Sequence, residues 1–300
     1  MRIGIFGGDT AARTIDDVVA DARATEADGF ASYALPQIFA LDAMGVLAVV
    51  GREVPRIELL TGVVPTYGRH PLTMAQQALT VQAASGGRFS LGIGLSHQIV
   101  IENMFGLSFD KPVRHMREYL SVLMPLLHEG KASFKGETIS TDAALGIEPR
   151  LTCPVLVAAL GTQMLKLAGT VTDGTVTWMT GPATLESHIV PTITAAAKEA
   201  GRPAPRIATS LPVCVTSDID AARERAAKDF QVYGFLPSYR AMLDREGAGG
   251  PADVAIVGDE ATVAKQVGAL ADAGVTEFVA SVYGSRDERA ATRAVLMSML

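Results

Sequence analysis

Eight short, almost continuously apolar runs punctuate the chain. They are Arg2–Phe6 (RIGIF), Phe30–Leu35 (FASYAL), Ile57–Val64 (IELLTGVV), Arg88–Gly94 (RFSLGIG), Pro154–Leu160 (PVLVAAL), Gly174–Met179 (GTVTWM), Arg206–Val215 (RIATSLPVCV) and Glu277–Tyr283 (EFVASVY). Runs without polar alternation suit parallel strands covered on both faces better than half-exposed antiparallel ones. Between them the period changes to that of a helix. Met116, Leu120, Leu123 and Leu127 form one stripe, and Val263, Val267, Leu270 and Ala271 another, which Asp272–Gly274 ends with a helix-stopping glycine.

Eight strand-plus-helix units with right-handed crossovers predict an α/β fold of the (β/α)8 TIM-barrel type. A doubly wound open sheet is the alternative, because strand order is not written in a single sequence. Two stretches depart from the repeat. Lys131–Ser140 (KASFKGETIS) alternates around a Lys-Gly turn and predicts a hairpin inserted before the fifth strand. The glycine-rich Asp244–Val254 predicts a mobile loop before the eighth. No Pro/Ser-rich linker divides the 300 residues, so residues 1–300 are expected to form one domain.

Composition narrows the partners. With 48% apolar residues the chain is no disordered segment. A net charge of −6 without a Lys/Arg cluster argues against nucleic acid. Cys153 and Cys214 stand alone, as in a reducing compartment, and the N-terminus reaches glycine and charge too soon for a signal peptide. The most apolar run, Ala43–Gly51, is too short to span a bilayer. A cytoplasmic protein acting on a small-molecule substrate, without membrane partner, is expected.

In a barrel, chemistry gathers at the C-terminal strand ends. Those ends carry Gly7-Gly8-Asp9, Pro36-Gln37, Val64-Pro65 with Tyr67, Ser96-His97, Leu160-Gly161-Thr162, Trp178-Met179-Thr180, Pro212 and Tyr283-Gly284. This rim is poor in charge and rich in small or flat side chains, which suits a bulky planar cofactor better than a metal or a carboxylate pair. Of five histidines only His97 falls at a strand end, and neither HxH nor HExxH occurs, so no metal site is expected. His115 and His128 read as solvated or capping residues. GIGLSH lacks the third glycine of a dinucleotide fingerprint. Gly92 and Gly94 therefore either relieve crowding in a barrel strand or, as favoured here, let a ligand approach. In ALGTQMLKLAG, Gly161 offers a tight turn and Thr162 a helix cap, with free amides able to hold a phosphate.

Together TGVVPTYGRHP (Thr61–Pro71), GRFSLGIGLSH, LGTQMLKLAGTVTDGTVTWMTGP and VGDEATVAKQVGALADAGVTEFV resemble the bacterial luciferase-like monooxygenase superfamily, in order and over the whole chain. Within it they look most like the branch using coenzyme F420, an 8-hydroxy-5-deazaflavin. The resemblance implies a (β/α)8 barrel, a homodimer, and a non-prolyl cis peptide at Gly62-Val63 behind the cofactor ring. It implies that Leu160, Gly161 and Thr162 hold the cofactor's phosphate, with Trp178, Met179 and Thr180 beside the tail. Gln37, Gly62, Val63, Val64, Gly94, Ser96 and His97 complete the expected cofactor site. Sugar-phosphate-oxidising members carry a glutamate where His97 stands and an Asp-His pair where this chain has Leu35-Pro36-Gln37, so their reaction is not expected.

The implied activity is hydride transfer between reduced deazaflavin and a small substrate with a C=C, C=O or C=N bond. His97 is the first candidate for acid/base catalysis, with Tyr67 and Tyr283 behind it; the other reading of His97 is a hydrogen bond to the cofactor ring or the loop backbone. Two alternatives stand beside this one: an FMN-dependent monooxygenase on the same fold, and a non-catalytic cofactor carrier.

Overall fold

In the computed structural model, which describes residues 1–147 and 151–300, the apolar runs become eight parallel strands. They are β1 (Arg2–Phe6), β2 (Ser32–Leu35), β3 (Glu58–Thr61), β4 (Phe89–Gly94), β5 (Val155–Ala158), β6 (Gly174–Trp178), β7 (Arg206–Ser210) and β8 (Glu277–Val282). Each pairs with the next in sequence, and β8 returns to β1 with Gly4 opposite Val279, closing the barrel. The open-sheet alternative is thereby removed. Helices α1 (Ile15–Ala27), α2 (Ala43–Glu53), α3 (Pro71–Ala84), α4 (Pro112–Glu129), α5 (Thr162–Val171), α6 (Val190–Glu199), α7 (Glu260–Asp272) and α8 (Arg286–Met297) follow the strands in turn. No helix among the described residues is long and apolar enough to cross a membrane.

The barrel is a packed core. Ala34, Leu60, Leu156, Ala208 and Val279 point inward, with Phe6 and Val176 against them, and the space left between them is only about 10 Å³. At its N-terminal mouth a charge network closes the floor. The Arg206 guanidinium donates to Glu58 (2.5 Å) and through Nε to Glu277 (2.8 Å), Arg2 reaches Glu58 (2.5 Å), and Ser32 and Ser90 bond the same two carboxylates.

Three segments differ from the pattern-based expectation. The seventh run is two strands. β7 ends at Ser210, Pro212 has no amide hydrogen with which to continue the ladder, and Pro212–Val215 pairs instead with the distal end of β8 and with Ile256–Gly258. The third run is likewise split, at Gly62-Val63, whose peptide is cis, after which Val64–Pro65 pairs with β4. Asp244–Val254 is not a loose loop. It completes the helix Pro237–Glu246 and contains the helical turn Pro251–Val254. Arg240 donates to the carbonyls of Ala248 and Gly249, and Asp253 accepts from the amides of Gly249 and Gly250. These charge-assisted bonds occupy the polar backbone groups that a glycine-rich stretch leaves to water.

The hairpin is where the alternation placed it, with Lys131–Lys135 antiparallel to Ser140–Ala144. Buried Glu118 of α4 grips its turn, accepting from the amides of Glu137, Thr138 and Ile139 and from the Thr138 hydroxyl. Burial alone would raise the Glu118 carboxyl, but these donors hold it at about 2.

Candidate active site

The wall of the rim formed by β3 and β4 is shaped by missing side chains. The Thr61 hydroxyl donates to the Gly92 carbonyl and accepts from the Gly92 amide, both at 2.8 Å. A Cβ on Gly92 would run into the Thr61 carbonyl oxygen, and one on Gly94 would lie 2.8 Å from the Val63 side chain. The two glycines thus admit the neighbouring strand and Val63 rather than a ligand, and the favoured reading of them is corrected. Gly62 faces Phe6 in the same way, since a Cβ there would lie 2.8 Å from the ring. Val64 is fully buried and contributes only its backbone, opposite Ile93.

Past Gly94 the chain turns at Ser96, which adopts a left-handed φ of 61°, and this throws His97 off the strand axis. His97 starts the short helix Gln98–Asn103 without capping it. Its ring is half-buried, tilted against Tyr239 at 5.5 Å, and burial lowers its pKa below the ordinary 6.5. Near neutral pH it is an uncharged imidazole.

From His97 an array of rings crosses the rim. Tyr239 meets Tyr233 edge-on at 5.2 Å, Tyr233 meets Trp178 at 5.6 Å, and Trp178 stacks on Phe6 at 5.9 Å with an interplanar angle of 16°. Phe230 packs edge-on against both Trp178 and Tyr283, each at 5.8 Å. Phe230, Tyr233 and Tyr239 come from the segment inserted between β7 and α7, so this insertion ties together the ends of β1, β4, β6 and β8. The Trp178 indole Nε1 is buried here and has no hydrogen-bond partner among the described residues. Met179 after it is buried with φ 53°, and the Thr180 hydroxyl donates back to the Trp178 carbonyl at 3.2 Å.

The two tyrosine candidates differ. The Tyr283 hydroxyl donates to the Ala222 carbonyl at 3.1 Å, within a satellite core with Cys214 and Val257, and burial raises its pKa. That hydroxyl is engaged by the helix Ile219–Asp229, and its geometry does not offer a proton to the rim. The Tyr67 hydroxyl is buried and has no hydrogen-bond partner among the described residues. Its ring lies flat on His115 at 4.0 Å, with Phe109 on the ring at 5.4 Å, and its pKa is raised by burial and then by Asp110. His115 is not the solvated residue expected from the sequence. It is half-buried, its Nε2 is 3.0 Å from the Thr66 hydroxyl, and burial lowers its pKa against the opposing pull of Glu118.

At the fifth strand end Gly161, not Thr162, is the helix cap. Gly161 is the extended residue whose carbonyl accepts the first helical bond, from Leu165 at 3.0 Å, and it has no side chain with which to occupy the amides. Thr162 is the first helical residue and is exposed. The first turn of α5 is therefore open, as an anion site requires. Behind it, buried His188 sets its Nε2 2.8 Å from the Leu160 carbonyl, from within a π-helical turn, Leu185–Ile189. Gln37 spends its side-chain carbonyl on the Ala43 amide at the start of α2 (2.7 Å). Among the described residues no group of three His, Cys, Asp or Glu side chains could hold a metal ion.

The structure thus assembles His97, Trp178, Met179 and Gly62-Val63 around one rim, with Leu160 to Thr162 beside it, and turns the Tyr283 hydroxyl away. Sequence reasoning passed over Phe6, His188, Tyr233 and Tyr239. The aromatic spacing Phe230, Tyr233, Phe235, Tyr239 in an otherwise polar stretch was the available signal; His188, inside an ordinary helical pattern, gave none.

The family model for luciferase-like monooxygenases matches residues 1–277. A 5,10-methylenetetrahydromethanopterin reductase of Methanolobus tindarius is 30% identical over 252 residues, covering 82% of this chain and 76% of its own. Among solved structures, a coenzyme F420-dependent tetrahydromethanopterin reductase from Methanopyrus kandleri superposes with a TM-score of 0.80 at 23% identity, over 99% of this chain and 96% of that one. An F420-dependent secondary alcohol dehydrogenase gives 0.79 at 20% identity, over 98% and 97%. These two likenesses speak to the fold.

Proposed function

The chain belongs to the luciferase-like monooxygenase family, and from that premise we propose that it is a coenzyme F420-dependent oxidoreductase. It moves hydride between reduced deazaflavin and a small organic substrate carrying a C=C, C=O or C=N bond. The Methanolobus reductase supports the redox class. The observation that carries the reading is the pair of unsatisfied features on one rim: the partnerless Trp178 Nε1 beside Phe6, and the open first turn of α5. They fit a flat, hydrogen-bonding ring system that ends in a phosphate.

When bound, the deazaflavin supplies a carbon centre that gives or takes hydride and reacts little with oxygen. The protein's own tasks are then to bind, orient and manage one proton. Gly62, Val63 and Phe6 back the ring, and Trp178 with Met179 and Thr180 borders the tail. Val64, Gly94 and Ser96 belong to the same β3–β4 wall, and Gln37 stands just past the end of the adjoining β2. The amides of Gly161 and Thr162 take the phosphate, with Leu160 held in place by His188. His97, neutral near pH 7, accepts the substrate proton at a ring nitrogen during oxidation; during reduction it must first be protonated and then donate. The protein acts as a homodimer in this reading, and the exposed Phe39, Ile99, Met104 and Phe105 supply apolar surface for it.

Titration with F420 and with FMN, followed by absorbance and fluorescence, tests the cofactor. Oxidation of reduced F420 is then followed against enones, imines and ketones. Tight F420 binding with turnover on one acceptor class is expected. Preference for FMN with oxygen consumption would establish the monooxygenase instead, and binding without turnover on any acceptor would establish a carrier.

A further inference from the structure

One buried donor has no task in the mechanism above. Tyr67 is only 7% exposed, and its hydroxyl has no hydrogen-bond partner among the described residues. A buried phenol gives up its bonds to water, so a hydroxyl that gains none in return is costly to keep. Its place is at the rim. Val64–Pro65 pairs with β4 at Ile93 and Gly94, and the Thr66 amide donates to the Gly94 carbonyl at 2.8 Å. Tyr67 therefore follows the last paired residue just as Leu95, Ser96 and His97 do on the neighbouring strand. The phenol ring is held by packing. His115 lies flat on it at 4.0 Å and is itself tied to Thr66, while Phe109 stacks on it at 5.4 Å. The Phe105 ring closes over the next residue, 3.2 Å from where a Gly68 Cβ would stand. Phe105 and Phe109 belong to the connection that starts at His97. That connection carries the candidate acid/base at one end and packs on the phenol at the other.

We propose that the Tyr67 hydroxyl donates a hydrogen bond to the substrate, at the heteroatom of the reduced bond or of a carbonyl conjugated to it. The proposal rests on the oxidoreductase reading and narrows its substrates to carbonyls, imines and carbonyl-conjugated alkenes. An alkene without such a heteroatom is excluded. During reduction the substrate carbon takes the hydride and the π-electron pair shifts toward the heteroatom. The proton held by His97 ends on the substrate, and the reduced deazaflavin of the proposed function is the reductant. Tyr67 keeps its own proton. Burial and then Asp110 raise its pKa, so it stays a donor through the neutral range. A donor already fixed by packing bonds more strongly as charge collects on the heteroatom, without having to reorganise.

Tyr67→Phe tests this, because it removes the hydroxyl and keeps the stack. Reduced F420 is supplied with cyclohexenone, pyrroline and cyclohexanone, and kcat/KM is followed for the acceptor turned over fastest. It should fall roughly 10²-fold in the variant. F420 affinity and the melting midpoint should stay as in the unaltered protein, because the lost hydroxyl makes no bond there. A second readout is independent of turnover. In protein isotope-labelled at the tyrosine Cζ carbons, the Tyr67 signal is the one missing from Tyr67→Phe. It should shift when the same acceptor is added to protein loaded with oxidised F420, and stay in place with cyclohexene. Full activity of Tyr67→Phe, an unmoved signal, or a variant that unfolds would each overturn the hydrogen bond and leave the cofactor reading intact. Failure of the unaltered protein to bind F420, or to reduce any of the three acceptors, would overturn the oxidoreductase reading and the hydrogen bond with it.

Discussion

His97 and Gly92 lie five residues apart and ask for opposite tests. The His97 ring makes no hydrogen bond among the described residues, and burial lowers its pKa below 6.5. His97→Ala should cut turnover by about 10²–10⁴ while leaving F420 affinity within about threefold. The pH profile carries the sign. A base with a lowered pKa makes the oxidative rate rise through that pKa and level off above it, while the reductive rate falls across the same window. A variant that lost affinity and turnover equally, or kept the same pH limb, would show that His97 only binds. Gly92 is a packing residue. Gly92→Ala should destabilise by about 1–3 kcal/mol or more in urea unfolding, because the Thr61 carbonyl is backbone and cannot swing away. Gly268 in α7 is the control, with nothing near its missing Cβ. Gly268→Ala should stabilise by about 0.5–1 kcal/mol. If both variants unfold together, the crowding account of Gly92 fails.

At the scale of elements, the Glu118 latch decides how the hairpin responds to acid. Its carboxyl stands near 2 in the folded protein against 4.5 ordinarily. The stability it lends is therefore complete above about pH 4.5 and is lost as the pH falls toward 2. Glu118→Gln removes the charge from four donated hydrogen bonds and should cost about 1.5–3 kcal/mol. Hydrogen exchange should quicken first at the Thr138 and Ile139 amides; unchanged exchange there would refute the latch. The elements were legible in the sequence to different depths. Met116, Leu120, Leu123 and Leu127 are all buried as their spacing requires. In the other stripe Val263, Val267 and Leu270 are buried while Ala271 is exposed, since alanine fits either environment. The strand breaks at Gly62-Val63 and Pro212 turn on pairing partners far along the chain, which local patterning does not contain. His115 escaped because one helical position separates a solvated face from a ring stacked on Tyr67. Tyr233 and Tyr239 escaped because their segment is polar by composition and meets Trp178 and His97 only after the barrel closes.

Across the whole molecule the two mouths of the barrel divide the work. Among the described residues the upper mouth leaves Trp178 Nε1 without a partner and the first turn of α5 without a side-chain cap, whereas the lower mouth pairs its charges. Arg206 lies between Glu58 and Glu277, and the Glu277 side chain is only 1% exposed. Burial alone would raise the Glu58 carboxyl, but Arg206, Arg2 and Ser90 lower it below 4.5. Arg206→Met leaves Glu58 with Arg2 and Ser90, and Glu277 with the Ser32 hydroxyl alone. A buried carboxylate stripped of its cation costs about 3–5 kcal/mol, so the melting midpoint should drop well below that of the unaltered protein. Arg206→Lys should fall between them, because one ammonium cannot serve both acids with the geometry of a guanidinium. The pH dependence should change as well. In the unaltered protein the Glu58 contribution is present above about pH 4.5 and fades below it, whereas in Arg206→Met this acid limb should flatten as the lowered pKa returns toward its ordinary value. Cofactor affinity, measured well below the melting midpoint, should stay the same, because the network and the rim lie at opposite ends of the strands. Retained stability in Arg206→Met would mean that the apolar layer of Leu60, Leu156 and Val279 holds the barrel shut unaided; weakened cofactor binding in the folded variant would mean that the two mouths are coupled through the strands.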